Sequence, residues 1–244
     1  MESFRSSNIL IKIASTAEEK NAVYRLRYFD LVLNYNEAQT NSEEMDKDQY
    51  DDVCDHLIAI DCDTNEVVGT YRLIAKKHLK ELKTFLTESE FDLTNLKKYE
   101  ILEVGRAVVK EEYRDGIVIG LLWKGVIRYA VSEGMDFMIG TASFHGIDPT
   151  LYKDTLAYLY QNHLSNEDIL CYANRDSYSP LNLVDEFDLE TAKKNMPPLI
   201  KGYLRLGATI GEGVYLDKEF NSSDVLIVLK INEINPRYLK KYME

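Results

Sequence analysis

Glu103 and Arg106 lie three residues apart in the apolar run ILEVGRAVV (101–109), which reads as a buried strand. A carboxylate in such surroundings can take a proton from an incoming ammonium, directly or through a water. Side chains alternate along a strand, so residues three apart face opposite ways unless a bulge intervenes. The plain alternative is a buried glutamate paired with an arginine on the sheet. Upstream, NEAQTNSEEMDKDQYDD contains Asp46, Asp48, Asp51 and Asp52, which can bind a cationic amine or form a solvated acidic loop. It is not a calcium loop. The sixth position from Asp46 is Asp51 rather than glycine, and the twelfth is Leu57 rather than glutamate. Arg25 and Arg72 can each hold a carboxylate or a phosphate, or serve as ordinary surface and cross-strand partners.

A second set of residues suits a phosphate. The turn Tyr113-Arg114-Asp115-Gly116 leads from the strand into an apolar segment that reads as helix, IVIGLLWKGVIRYAVSEG (117–134). Backbone N–H groups and the dipole at a helix start attract anions, Gly116 permits close backbone approach, and Arg114 can neutralise charge. Tight strand-to-helix turns also carry Arg and Gly for structural reasons alone. Lys124 and Arg128 are four apart on that helix and share a face, giving a basic stripe that meets an acidic partner or is simply solvated. His56 and His145 have no serine or cysteine nucleophile motif beside them. The four histidines also lack metal-ligand spacing, so no triad and no metal site is expected.

Several elements must position these groups. Residues 8–14 read as a first strand and 16–35 as a helix capped by Thr16. CDHLIAID and EVVGTYRLIAK pair around CDTNE, and 76–100 reads as helical with irregular breaks. Strand 101–109, helix 117–134 and strand 135–144 form a βαβ unit with an expected right-handed crossover. Helix 149–164, a polar irregular stretch 165–195, a short helix in PPLIKGYLRLGA and a pair VYLDKEF/DVLIVLKI complete an α/β sandwich. No repeat or linker interrupts residues 1–244, which are read as one domain.

Of the 244 residues 45% are hydrophobic and the net charge is −12, which excludes a disordered chain and argues against general nucleic-acid binding. No apolar run reaches the roughly 18–20 residues of a membrane helix. The N-terminal segment has no signal-peptide pattern, and three cysteines without a CxxC pair read as free thiols. A cytoplasmic protein is expected, peripheral at the inner membrane face at most. The apolar residues of 149–164 and 198–206 either touch a bilayer or pack a core.

The stretch LEVGRAVVKEEYRDGIVIGLLWKGVIRYA resembles the pyrophosphate-loop motif and following helix of GNAT acyltransferases. The closer resemblance is to ornithine-acyl-carrier-protein N-acyltransferases of ornithine-lipid synthesis and related hemolysin-like proteins. It is carried by YRLRYFD, YDDVCDHLIAID, EVVGTYRLI, LEVGRAVV, YRDGIVIGLLWKG, GTASFHGIDP, PPLIKGYLRLGA and EFNSSDVLIVL, spanning residues 24 to 229. Acyl-homoserine-lactone synthases share a sparser pattern, present here as Arg25, Asp48, Asp51, Arg72, Glu103 and Arg106.

This resemblance implies a GNAT-like fold, a mixed central sheet flanked by helices. It also implies acyl transfer from a phosphopantetheine thioester to the α-amine of ornithine or glycine, with no permanently bound cofactor. Glu103 would be catalytic, and Arg25, Asp48, Asp51, Arg72 and Arg106 would bind the acceptor. Val108, Val109, Arg114, Gly116 and Ile117 would hold the phosphopantetheine arm as it enters between strands 101–109 and 135–144. Lys124 and Arg128 would dock acyl-carrier-protein. The loop departs from the Gln/Arg-x-x-Gly-x-Gly/Ala pattern of acetyl-CoA users. Here it reads Arg114-Asp-Gly116-Ile-Val-Ile-Gly120, which displaces the second glycine into the helix and suits a carrier-protein donor better than CoA. The rival readings are an acetyl-CoA-dependent small-molecule N-acetyltransferase and a non-catalytic, membrane-associated hemolysin-like binding protein.

Overall fold

A computed structural model of the chain describes residues 1–244 except Asn36, Glu37, Gln39 and Glu244. The first three begin the acidic stretch, so that part of the loop reading lies outside the described residues. The chain folds as two compact units. One comprises Met1–Lys83, Leu102–Met135 and Leu239–Glu244; the other comprises Thr84–Ile101 and Asp136–Tyr238.

In the first unit, β1 (Phe4–Ser6), β2 (Ile9–Ile13), β3 (Asp55–Asp61), β4 (Glu66–Ala75) and β5 (Ile101–Val109) follow in that order, each antiparallel to the next. The expected turn joins β3 to β4. Asp61 Oδ1 accepts the Asp63 N–H at 2.8 Å and Asn65 takes φ 61°, a conformation asparagine tolerates. Directly opposed residues share a face, so His56, Arg72 and Gly105 project together, with Ile74 and Glu103 alongside. Leu57, Tyr71 and Gly69 project to the other side.

Helix α1 (Ala17–Arg27) covers the face that carries Arg72. Thr16 caps it as expected, with Thr16 Oγ1 accepting the Glu19 N–H while Glu19 returns a bond to the Thr16 N–H. Val23 and Tyr24 of α1 pack on Ile58 and Ile60. A π-helical turn, Tyr28–Val32, and a last turn, Leu33–Tyr35, extend it. Helix α2 (Ile117–Ser132) lies on the opposite face. Its Trp123 Nε1 donates to Tyr71 Oη at 2.9 Å, and Val118 and Leu122 press against Gly69.

In the second unit, β6 (Phe137–His145) pairs antiparallel along its full length with a C-terminal strand, Ser222–Lys230. The strand before it, β7 (Val214–Asp217), pairs back on Ser222–Lys230, here named β8, around a turn at residues 218–221. The helices here are α3 (Lys153–His163), α4 (Leu189–Asn195) and α5 (Pro198–Leu206). Among the described residues no helix is long and apolar enough to cross a membrane.

Helical turns with breaks form where they are expected, and one helix forms where none is. Residues 76–100 hold the short helical turns Lys76–His78, Leu79–Leu82, Leu86–Ser89 and Thr94–Leu96, interrupted by a two-residue strand, Phe91–Asp92, paired with Tyr172–Ala173. Phe91, Leu93 and Leu96 are buried. Within 165–195, α4 forms because Asp188 accepts the Thr191 N–H at 2.7 Å as an N-cap.

Gly125 marks the closest approach of α2 to the sheet. A Cβ there would stand 2.8 Å from Leu57 Cδ2 and 3.0 Å from Ile11 Cγ2. Gly125→Val is expected to lower stability by about 1–3 kcal/mol through overpacking, read as a lower urea midpoint at unchanged slope.

Candidate active site

The face of β4 and β5 beneath α1 is lined with charge. Helical spacing puts Arg27 four residues after Val23 on the inner face of α1, and its side chain is fully buried. Its Nη1 and Nη2 donate to the two oxygens of Asp51 at 2.7 and 3.0 Å, a bidentate pair. Arg27 Nε donates to Asp46 Oδ2 at 2.8 Å. Arg72, equally buried, donates from Nη1 to Asp48 Oδ2 at 2.7 Å and to Asp51 Oδ1 at 3.3 Å. Arg106 Nε stands 3.1 Å from Asp46 Oδ2.

The 46–51 loop is folded for this purpose. Asp51 Oδ2 accepts the Asp48 N–H at 2.9 Å, and Asp48 Oδ1 accepts the Tyr50 N–H at 2.9 Å. Burial alone would raise the Asp51 carboxyl. Hydrogen bonds and charge from Arg27, with the charge of Arg72, outweigh burial and hold Asp51 well below the usual carboxylate range. Burial would likewise lower Arg72, but the neighbouring Asp48 and Asp51 charges keep it raised.

Arg72 uses a single nitrogen for these bonds. Its Nε and Nη2 are enclosed and have no hydrogen-bond partner among the described residues. That edge is the fork that matches a carboxylate. Glu103, 4% exposed, faces the same side of the sheet two positions along β5 from Gly105, the partner of Arg72.

A bulge does intervene between Glu103 and Arg106. Gly105 opposes Arg72 and Val108 opposes Thr70, leaving Arg106 and Ala107 both opposite Tyr71. Arg106 takes φ 50°, in the left-handed region, and its guanidinium turns toward Asp46 and Asp48 with Glu103 on the same face.

Arg25 is not part of this cluster. It is exposed and stands 3.6 Å from Glu44. The residue the sequence reading passed over is Arg27, and the signal for it was present: i, i+4 spacing from Val23. His56 Nε2 lies 3.2 Å from the Asp51 carbonyl, and burial lowers its pKa, so it packs as a neutral ring.

Comparison with known proteins identifies the family. Residues 24–124 match the model described as an Acetyltransferase (GNAT) domain. An L-ornithine N(alpha)-acyltransferase of Brucella abortus (strain 2308) is 33% identical over 98% of this chain and 90% of its own. One from Agrobacterium fabrum is 36% identical over 98% of this chain and 86% of its own. The chain belongs to this acyltransferase family. Among solved structures, an AHL synthase superposes with TM-score 0.53 at 12% identity, covering 93% of this chain and 92% of its own. A CoA-dependent acyl-homoserine lactone synthase gives 0.52 at 13% identity, covering 93% and 81%. Both likenesses concern the fold. The protein is therefore an N-acyltransferase with a GNAT fold, which uses an acyl-thioester donor and an amino-acid acceptor.

The residues read for the donor lie at the other end of β5. Val108 and Val109 oppose Thr70 and Gly69. Arg114 Nε donates to the Val109 carbonyl at 2.8 Å, and Arg114 Nη2 stands 3.3 Å from Asp30 Oδ1, so Arg114 braces the turn against the end of the first helix. Gly116 opens α2 with φ 93°, which glycine adopts freely, and Asp115 Oδ1 accepts the N–H of the exposed Ile117. Lys124 and Arg128 both lie over the Phe4 ring. Arg128 also donates to the carbonyls of Tyr242 and Met243.

Removing Asp51 leaves Arg27 and Arg72 without their shared anion. Asp51→Asn is expected to cost about 3–5 kcal/mol of stability at pH 7, measured by urea unfolding. Because its folded pKa is depressed, the Asp51 contribution is complete above its unfolded pKa of about 4 and is lost as pH falls below that. The variant should therefore show a shallower loss of stability on acidification below about pH 4 than the parent.

Proposed function

We propose that this acyltransferase moves a long-chain acyl group from acyl-carrier-protein to the α-amine of ornithine. The observation that carries the reading is the enclosed but unpartnered Nε/Nη2 edge of buried Arg72, on the same sheet face as Glu103. That edge takes the α-carboxylate of the amino acid. Glu103 removes a proton from the α-ammonium, directly or through a water, because only the free amine is nucleophilic. The nitrogen attacks the thioester carbonyl, a tetrahedral oxyanion forms, and the C–S bond breaks as the amide forms. The leaving thiolate takes up a proton.

Asp46, Asp48 and Asp51 then act indirectly, by holding Arg27, Arg72 and Arg106 in place. Backbone groups of Val108 and Val109 bind the arm's amides, and the start of α2 at Gly116 and Ile117 receives its phosphate. The displaced second glycine favours a carrier-protein donor over CoA, with Lys124 and Arg128 facing the acidic carrier. The relatives named for ornithine acylation support the choice of acceptor.

Purified protein with acyl-carrier-protein thioester and ornithine is expected to release thiol and to form N-acyl-ornithine, identified by mass spectrometry. Glu103→Gln should lower kcat by about 10²–10⁴-fold with the fold intact by circular dichroism. Unchanged turnover in that variant would remove Glu103 from the chemistry. Arg72→Lys should raise KM for ornithine at least about tenfold and leave KM for the donor alone. Equal use of 1,4-diaminobutane, which has no carboxylate, would sink the role given to Arg72.

A further inference from the structure

The second unit holds a group of carboxylates that the acyl-transfer chemistry does not use. Asp217 ends β7 and Asp224 lies on β8. The register opposes Asp217 to Ser222, so Asp224 is its diagonal neighbour on the same face. Glu90 approaches from the turn before the strand Phe91–Asp92. The backbone fixes it there: its N–H donates to Thr87 O at 3.0 Å and its carbonyl accepts the Asn174 N–H at 2.8 Å. One carboxylate oxygen of each residue lies within 4.8 Å of the others.

A cluster of acids on a surface would mean little. Asp224, however, is only 3% exposed. Its Oδ2 accepts a bond from Ser222 Oγ at 3.1 Å, while Oδ1 is enclosed with no hydrogen-bond partner among the described residues. Neither Asp217 nor Asp224 has a lysine or arginine within ion-pair distance among those residues. Burial pushes the Asp224 carboxyl up to about 6, the Ser143 and Ser222 hydroxyls oppose that, and the Asp217 charge adds to it. Desolvated carboxylates crowded together need either a shared proton or a shared cation.

We propose that Glu90, Asp217 and Asp224 bind a hard divalent cation of the calcium, magnesium or manganese class. The spacing suits it. Oxygen ligands about 2.4 Å from a calcium-sized ion lie at most about 4.8 Å from one another. The donors are all oxygen, with no imidazole or thiolate in the group, which disfavours zinc and copper. Asp217 Oδ1 accepts the Phe220 N–H at 2.8 Å, which orients the carboxylate and leaves its second oxygen for the ion. The ligands come from three separated segments, so no metal motif appears in the sequence.

The test uses the full chain stripped with EDTA and then given calcium, magnesium or manganese chloride separately at matched ionic strength. At a hundredfold excess over Kd, at least one of the three should raise Tm by about 5–10 °C. Asp224→Asn should abolish the rise, and Asp217→Asn provides a second variant if the first does not fold. Manganese should also give an immobilised paramagnetic resonance signal that depends on the same residues. Three results would overturn the proposal: no rise with any of the cations, an equal rise in the folded variants, or a rise with 1,4-diaminobutane alone. The last would assign the group to an organic ammonium instead.

Discussion

Two arginines and an aspartate with almost no exposure, Arg27, Arg72 and Asp51, set the condition that the first unit has to meet. Charges removed from water cost several kcal/mol each unless paired with good geometry. The pairing here draws on α1, β4 and the loop between α1 and β3, none of which can supply it alone. Charge holds the loop over the sheet together with buried Tyr50 and Cys54 and with Met45, which packs on the cluster around Tyr24. Asp46 and Asp48 bring the partners near balance, and Arg106 completes a set of three cations against three anions. The unpartnered edge of Arg72 is a by-product of that arrangement. Its position is fixed by bonds to one nitrogen, which leaves Nε and Nη2 enclosed without a partner among the described residues.

The bulge in β5 serves the same end. A regular strand would turn Arg106 away from Glu103 and Gly105, and the cluster would lose its third cation. Holding a non-glycine residue at positive φ costs on the order of 1–3 kcal/mol. Ion pairs from Arg106 to the loop offset that cost and fix the bulge in place. Glu103 is thereby held on a rigid strand rather than on a loop, where a proton acceptor would be less well aimed.

Much of this could be read from the sequence where the cause is local. The Thr16 cap, the turn at Asn65 and the apolar strands depend on neighbours a few residues away, and each appears as its residue types require. The resemblance of the central segment led to the GNAT fold. What stayed illegible depends on contacts between distant segments. Arg25 and Arg27 are two positions apart, and only the inner face of α1 separates an exposed arginine from a buried one. Spacing put Glu103 and Arg106 on opposite faces unless a bulge intervened, and could not say that one was there. In 76–100 the broken helical turns were legible but the strand Phe91–Asp92 was not, because its partner lies some eighty residues later.

The cysteines lead to a different point. Cys54 lies 3.8 Å from His56, close to Asp51, an arrangement that on paper suggests a nucleophile. Yet burial pushes the Cys54 thiol up to about 12, and Cys171 likewise. At neutral pH the reactive anion is then about one part in 10⁵ of either population, and neither sulfur reaches solvent. Thioesters exchange readily with thiolates, so an enzyme that handles them risks capturing its own cargo. By keeping these two sulfurs protonated and enclosed, the fold makes them spectators, and the acyl group is not diverted onto either by trans-thioesterification.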